Sequence, residues 1–81
     1  MKFATHDQAL VAEFQFADFR AAFAFMTEVA FAAEAAGHHP EWTNVYNRVS
    51  VRLTTHDAGN TVTEKDRALA EAITAIYRKY E

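Results

Sequence analysis

Residues 18–40 read DFRAAFAFMTEVAFAAEAAGHHP, and this stretch predicts the longest helix of the chain, over residues 19–36. Asp18 is a good N-cap, residues 19–36 contain neither Gly nor Pro, and Gly37 supplies the left-handed position at which helices commonly end. Spacings of three and four predict an inward apolar stripe. Its members are Phe19, Phe23, Met26, Ala30 and Ala33, with a second row of Phe25, Val29 and Ala32 beside it.

Short strands are predicted on both sides of this helix. Residues 2–5 and 9–16 precede it, joined by a turn at 6–8, and 42–46 and 49–55 follow it, joined by a turn at Asn47-Arg48. Thr63 then opens a capping box with Asp66, which predicts a last helix over 64–80 with Leu69, Ile73 and Ile76 or Ala72 facing inward. The order β-β-α-β-β-α predicts an α+β fold, a four-stranded antiparallel sheet with helices packed on one face.

The composition indicates one ordered domain, residues 1–81, without disulfides. The chain is 51% hydrophobic and 14% aromatic, carries a net charge of −3 and contains no cysteine, which excludes thiolate catalysis and cysteine zinc sites. Its charges are interleaved, so direct binding to nucleic acid gets little support. No apolar run reaches the ~18 residues that a membrane span needs, and the N-terminus shows no signal pattern. We therefore expect no membrane segment and a cytoplasmic location.

Histidine is the residue type that carries chemistry in this sequence. His38 and His39 are adjacent and precede Pro40, and a third histidine follows in Thr55-His56-Asp57. Histidine side chains titrate near neutral pH and can give or take a proton. His6 falls in a predicted turn remote from this group, and we interpret it as an exposed polar residue.

The spacing of these residues resembles the signature of the pterin-4a-carbinolamine dehydratases. The sequence EAAGHHP (34–40) is followed by five residues and Tyr46, nine residues and His56, then nine residues and Asp66. The resemblance extends over roughly residues 9 to 77. It also includes FADF (16–19), FAFM (23–26), HHPEW (38–42), NVYN (44–47), THD (55–57) and DRALA (66–70).

The resemblance implies a hydro-lyase that acts on 4a-hydroxytetrahydropterin. It implies removal of water to give a quinonoid dihydropterin, in recycling of the tetrahydropterin cofactor of aromatic amino acid hydroxylases. An acid must protonate the leaving hydroxyl while N5 loses a proton, and imidazoles can perform both steps. No metal or other cofactor is needed for such an elimination.

The resemblance also implies which residues form the site. The catalytic histidines would be His38, His39 and His56, with His38 and His56 donating protons to the hydroxyl and His39 orienting or deprotonating the pterin. Glu34, Asp66 and Pro40 would support them, Glu34 next to His38 and Asp66 near His56; for Asp66, a role confined to the capping box is an equal alternative. Trp42, Tyr46 and Thr55 would bind the substrate, although a core role is the commoner one for an aromatic such as Trp42.

Two other functions compete with catalysis. Three histidines with Glu34 could hold zinc, but adjacent histidines diverge and no H-x-x-x-H spacing occurs. The fold could instead serve as a dimerisation or binding module, since animal members of the family assist dimerisation of a homeodomain factor. Nothing in the chain identifies such a partner.

Two departures from the family pattern lead to expectations about assembly. Members usually carry a helix before the first strand, so we interpret the chain as lacking that N-terminal segment. The loop after His56 is one residue longer than the common version. The apolar face of helix 19–36 is wider than one sheet face can cover, and a small core is marginally stable. We expect a homodimer or homotetramer, weakened by substitution of Phe25 or Phe31.

Overall fold

The computed structural model describes residues 2–81, which form one antiparallel sheet and two helices. The sheet order is β1-β2-β4-β3, and each neighbouring pair is antiparallel. The elements are β1 (Ala4–His6), β2 (Ala9–Gln15), α1 (Phe19–Ala36), β3 (Glu41–Val45), β4 (Arg48–Leu53) and α2 (Glu64–Tyr77), with 3-10 turns at His56–Ala58 and Arg78–Tyr80. The predicted α+β fold and its β-β-α-β-β-α order are therefore confirmed.

The core lies between one face of the sheet and the two helices. Alternate residues of β2 and β4 point to that face, and Phe14 pairs with Val49 across the two strands. The largest fully buried side chains include Phe14, Phe25, Leu53, Leu69 and Ile73. Phe14 contacts Phe25 at a ring-centroid distance of 5.1 Å and Tyr77 at 4.8 Å. An aromatic cluster thus joins the sheet to both helices.

Helix α1 has the predicted bounds and caps but a different buried face. Asp18 accepts a hydrogen bond from the Ala21 backbone, and Gly37 adopts the left-handed conformation with φ 63°. The stripe predicted to face inward is wrong at Phe19, Phe23 and Ala30, which are exposed. The buried row is Ala22, Phe25, Val29 and Ala33. Apolar residues cover more than one side of this helix, so periodicity alone could not select the side that meets the sheet.

Both hairpin turns differ slightly from the sequence prediction. The first turn is Asp7-Gln8, with both residues at positive φ, so His6 ends β1. The second turn is Tyr46-Asn47, one residue earlier than predicted, with Tyr46 at φ 50°. The Asn44 side chain donates hydrogen bonds to the carbonyls of Tyr46 and Arg48, which stabilises the turn at this position.

Helix α2 begins with the predicted capping box and ends three residues before the predicted terminus. The Thr63 side chain and the Asp66 side chain cap each other's backbone, as the sequence indicates. The last turn is 3-10, and there Lys79 and Tyr80 both donate to Glu28 of α1. The hydrogen bonds from Lys79 and Tyr80 lower the pKa of Glu28. Neither helix in residues 2–81 has the length and apolar character that crossing a membrane requires.

Candidate active site

His38 lies directly after the end of α1 and is paired with a residue of α2. Gly37 adopts the left-handed conformation and turns the chain. The His38 backbone N–H then donates a hydrogen bond to the carbonyl of Ala33 at 3.1 Å. Its Nε2 atom is 2.6 Å from Oδ1 of Asp66, and only 12% of its side chain is exposed. A carboxylate can only accept, so Nε2 carries the proton and Nδ1 is the nitrogen left for another partner.

Asp66 is fully buried and each of its oxygens is satisfied. Oδ2 accepts from the Thr55 hydroxyl at 2.6 Å and from the Thr63 backbone N–H at 2.9 Å, while Oδ1 faces His38. Burial raises the pKa of Asp66, but the hydrogen bonds from Thr55, His38 and Thr63 outweigh burial and hold that pKa below its usual value. Asp66 is therefore an anion at neutral pH. Asp66 caps α2, as one of the two alternatives predicts, and the histidine that it contacts is His38 and not His56.

His39 is paired with Glu34, which lies in the last turn of α1. Nε2 of His39 is 3.0 Å from Oε1 of Glu34, and both side chains are largely exposed. The sequence predicts Glu34 beside His38 and Asp66 beside His56. In the structure Glu34 contacts His39 and Asp66 contacts His38, because His38 turns inward toward the start of α2 and His39 remains at the surface beside the helix end.

His56 begins the 3-10 turn after β4 and contacts a residue of the same loop. Its Nδ1 atom is 3.1 Å from Oδ1 of Asn60. Asn60 has φ 60°, and its backbone N–H donates to the Thr55 carbonyl at 3.1 Å. The loop therefore folds back on the end of β4.

The three histidines line one cleft at this end of the sheet. The cleft has a volume of about 230 Å³ and is lined by Gly37, His38, His39, Thr54, Thr55, His56, Asp57 and Lys65. Larger grooves lined by the described residues contain no histidine. One of about 560 Å³ crosses the open face of the sheet, one of about 510 Å³ lies on α2, and one of about 420 Å³ lies against α1. The smaller cleft is the better candidate, because acid–base chemistry needs titratable groups that converge.

Not every predicted site residue reaches this cleft. Thr55 lies at it but is buried and donates to Asp66, and half-buried Pro40 follows the histidine pair before β3. Trp42 lies on β3 against the core and beside α1, and Tyr46 lies in the turn at the opposite end of the β3–β4 hairpin, 63% exposed. The structure therefore does not bring Trp42 and Tyr46 together with the histidines.

Asn60, Lys65 and Thr63 belong to the site and were not selected from the sequence. The Asn60 side chain contacts His56, Lys65 lines the cleft, and the Thr63 hydroxyl is 2.6 Å from that of Thr55. The added residue in the loop after His56 was the one signal that pointed to Asn60. Within residues 2–81, no three histidine or acidic side chains converge as metal ligands would.

Comparison with known proteins gives one consistent family. A family model described as "Pterin 4 alpha carbinolamine dehydratase" matches residues 2–76. Relatives from Rhizorhabdus wittichii and Opitutus terrae, provisionally named for that activity, are 59% and 56% identical over 68 residues, which are 84% of this chain and 69% and 70% of theirs. A crystal structure from Brucella melitensis, titled transcriptional coactivator/pterin dehydratase, superposes with a TM-score of 0.87 at 45% identity, over 93% of this chain and 81% of that one.

Proposed function

The chain belongs to the pterin 4 alpha carbinolamine dehydratase family, and we propose that the histidine-lined cleft is where it removes water from its substrate. The activity is that of a hydro-lyase, which converts 4a-hydroxytetrahydropterin to quinonoid dihydropterin in the recycling of tetrahydropterin. The observation that carries the proposed site is the convergence of three histidines, each with its own side-chain partner, on one cleft.

The reaction divides into two proton transfers that suit this cleft. The C4a–O bond breaks as the hydroxyl takes a proton and leaves as water, and N5 gives up its proton as the C4a–N5 double bond forms. Hydroxide is a poor leaving group, so a positioned acid and a positioned base each contribute about 10²–10⁴-fold. No electron transfer is involved, and the proposal assigns both steps to imidazoles.

His38 and His56 are proposed to donate protons to the 4a-hydroxyl, and His39 to orient or deprotonate the pterin. His38 lies in the wall of the cleft, and the anionic Asp66 behind it holds the ring through a hydrogen bond to Nε2. His39 is more open to incoming substrate and has Glu34 as its partner. Thr54 and Lys65 also line the cleft and are available to contact the heterocycle.

A dehydration assay on 4a-hydroxytetrahydropterin tests the function. We expect the purified protein to speed the loss of water over buffer alone, with no added metal and no loss of rate in the presence of a chelator. A folded sample that gives no acceleration would overturn the catalytic proposal and leave a binding module of the same fold.

Self-association is proposed alongside catalysis. Phe23 and Phe31 on α1 are 54% and 74% exposed, and both line the groove of about 420 Å³ with Met26, Ala30 and Trp42. Contiguous exposed apolar surface of this kind marks a protein interface. We propose a homodimer or homotetramer that covers this surface. A cytoplasmic location stays a prediction from the sequence.

A further inference from the structure

The ring of His56 is less constrained by packing than that of His38. It is exposed at the start of a three-residue 3-10 turn, whereas the His38 side chain is largely enclosed. The hydrogen bond between its Nδ1 and Oδ1 of Asn60 is what holds the ring. Among residues 2–81, the Nε2 atom of His56 has no hydrogen-bond partner. The orientation of His56 thus depends on Asn60.

Asn60 is itself held firmly by the loop that carries it. Its backbone N–H donates to the carbonyl of Thr55, and the backbone N–H of Thr55 donates to the carbonyl of Thr61 at 2.9 Å. The Thr61 hydroxyl closes the loop by donating to the Ala58 carbonyl at 3.0 Å. Asn60 has φ 60°, a conformation that asparagine adopts more readily than other residues with a side chain, except aspartate. The same residue therefore suits both the backbone of the loop and the contact with His56.

We infer that Asn60 is a positioning residue that fixes the tautomer and orientation of His56. The amide oxygen of Asn60 can only accept, so the Nδ1 atom of neutral His56 carries the proton and Nε2 is left with its lone pair. Nε2 is then the atom that exchanges a proton with the substrate. The catalytic part of this inference rests on the proposed function, whereas the tautomer of His56 does not depend on it.

An amide partner also distinguishes His56 from the other two histidines. His38 and His39 face carboxylates, whereas His56 faces the oxygen of a neutral amide. The other titratable side chains that line the cleft are those of His38, His39, Asp57 and Lys65. Asn60 thus leaves Nε2 of His56 free to take up a proton and to donate it to the 4a-hydroxyl.

The test combines nitrogen-15 NMR of the histidine rings with the dehydration assay. In the unmutated protein we expect the His56 shifts of an Nδ1–H ring. Asn60→Gly keeps the positive φ and removes the side-chain amide. His56 should then become a mixture of tautomers. The dehydration rate should fall about 10-fold, which is part of the 10²–10⁴-fold that a positioned acid–base group supplies. Asn60→Asp keeps the acceptor oxygen and should retain the tautomer and more of the rate than Asn60→Gly. Thermal unfolding checks that each variant is folded.

Several results would overturn the inference. An Nε2–H ring in the unmutated protein would contradict the tautomer directly. An unchanged tautomer or an unchanged rate in Asn60→Gly would show that the contact does not position His56 for catalysis, as would an equal loss in Asn60→Asp. If the unmutated protein has no dehydratase activity, the proposed function fails, and the NMR measurement still decides whether Asn60 fixes the ring.

Discussion

Each of the three cleft histidines has a different chemical partner, and the partner determines how firmly the ring is held. His38 is enclosed and faces a buried anion, His39 is exposed and faces an exposed carboxylate, and His56 is exposed and faces an amide. A buried charge-assisted hydrogen bond fixes geometry more strongly than an exposed one. His38 is therefore the most preorganised of the three rings.

Removal of a cleft histidine should affect catalysis far more than removal of a remote one. His38→Ala or His56→Ala should lower the dehydration rate by about 10²-fold or more, because each removes a proposed proton donor. His6→Ala is the control, since the His6 side chain is 74% exposed at the end of β1 and, within residues 2–81, pairs only with Asp7. Steady-state rates at matched protein concentration decide the comparison, and equal effects of all three substitutions would disprove the site.

Asp66→Asn should reduce stability at neutral pH and much less in acid. The amide replaces one acceptor oxygen of a fully buried group, at a cost of about 1–3 kcal/mol. The pKa of Asp66 is lowered in the folded state from 3.8, because the hydrogen bonds from Thr55, His38 and Thr63 outweigh the effect of burial. The unfolded chain then binds the proton more readily. The carboxylate's contribution is fully present above about pH 4–5 and is lost as pH falls through the folded pKa.

Urea unfolding at a series of pH values measures this effect. The difference in free energy of unfolding between the unmutated protein and Asp66→Asn should be largest near pH 7 and should shrink as the pH falls below about 3.8, the usual pKa of an aspartate. The acid end of the series is the internal control. A difference that does not change with pH would mean that Asp66 acts through shape and not through its charge.

The three histidines selected from the sequence meet in the structure, but the sequence did not predict their side-chain partners. His38, His39 and His56 meet at one cleft as predicted, because the α1–β3 and β4–α2 connections lie at the same end of the sheet. His38 and Asp66 are 28 residues apart, so their contact depends on how α1 packs against α2. The short spacing in the sequence favoured Glu34 as the side-chain partner of His38. The structure shows instead that His38 turns inward after Gly37 and contacts Asp66.

At the scale of elements, ends were more predictable than faces. Asp18, Gly37 and Thr63 define helix ends through local hydrogen bonds and backbone conformation, so the bounds of α1 and the start of α2 could be predicted. The buried face of α1 depends instead on which side contacts the sheet. Phe25 lies fully in the core while Phe31 is 74% exposed, although both are phenylalanines in one apolar helix.

Tyr46→Gly should stabilise the β3–β4 hairpin. Tyr46 is exposed and has φ 50°, a conformation that costs a residue with a β-carbon about 1–2 kcal/mol. Glycine removes that cost but loses about 0.5–1 kcal/mol in conformational entropy, so the net gain should be on the order of 0.5–1 kcal/mol, the middle of the range that these two figures allow. Because Tyr46 lies at the far end of the hairpin from the cleft, the dehydration rate should not change.

Thr43→Gly is the matched control for the turn. Thr43 is exposed in the middle of β3, where glycine brings only the entropic cost of about 0.5–1 kcal/mol. The two substitutions should therefore shift the urea midpoint in opposite directions. Equal destabilisation by both substitutions would show that the backbone of Tyr46 is not strained. A large loss of dehydration rate in Tyr46→Gly would indicate that Tyr46 contacts the substrate after all.

At the scale of the whole molecule, the cleft and the exposed apolar surface of α1 are separate. The histidine cleft lies where α1 ends and β4 leaves the sheet, while Phe23 and Phe31 line a different groove along the outer side of α1. Glu34 is the residue that links the two regions, since it pairs with His39 and also lines that groove. Assembly through α1 should thus leave the cleft open, although the interface would lie close to the His39–Glu34 pair.

Phe31→Lys should weaken self-association with little effect on the rate per chain. The substitution puts a charge at the most exposed phenylalanine of the groove, whereas Phe25, also chosen from the sequence, is fully buried and would report on folding instead. Sedimentation velocity at micromolar concentration should show an oligomer for the unmutated protein and a shift toward monomer for Phe31→Lys. Ala75→Lys adds the same charge at an exposed position of α2 and should leave the oligomer intact. A monomeric unmutated protein would contradict the proposal, and an equal shift in both variants would show that added charge, not the apolar surface of α1, controls assembly.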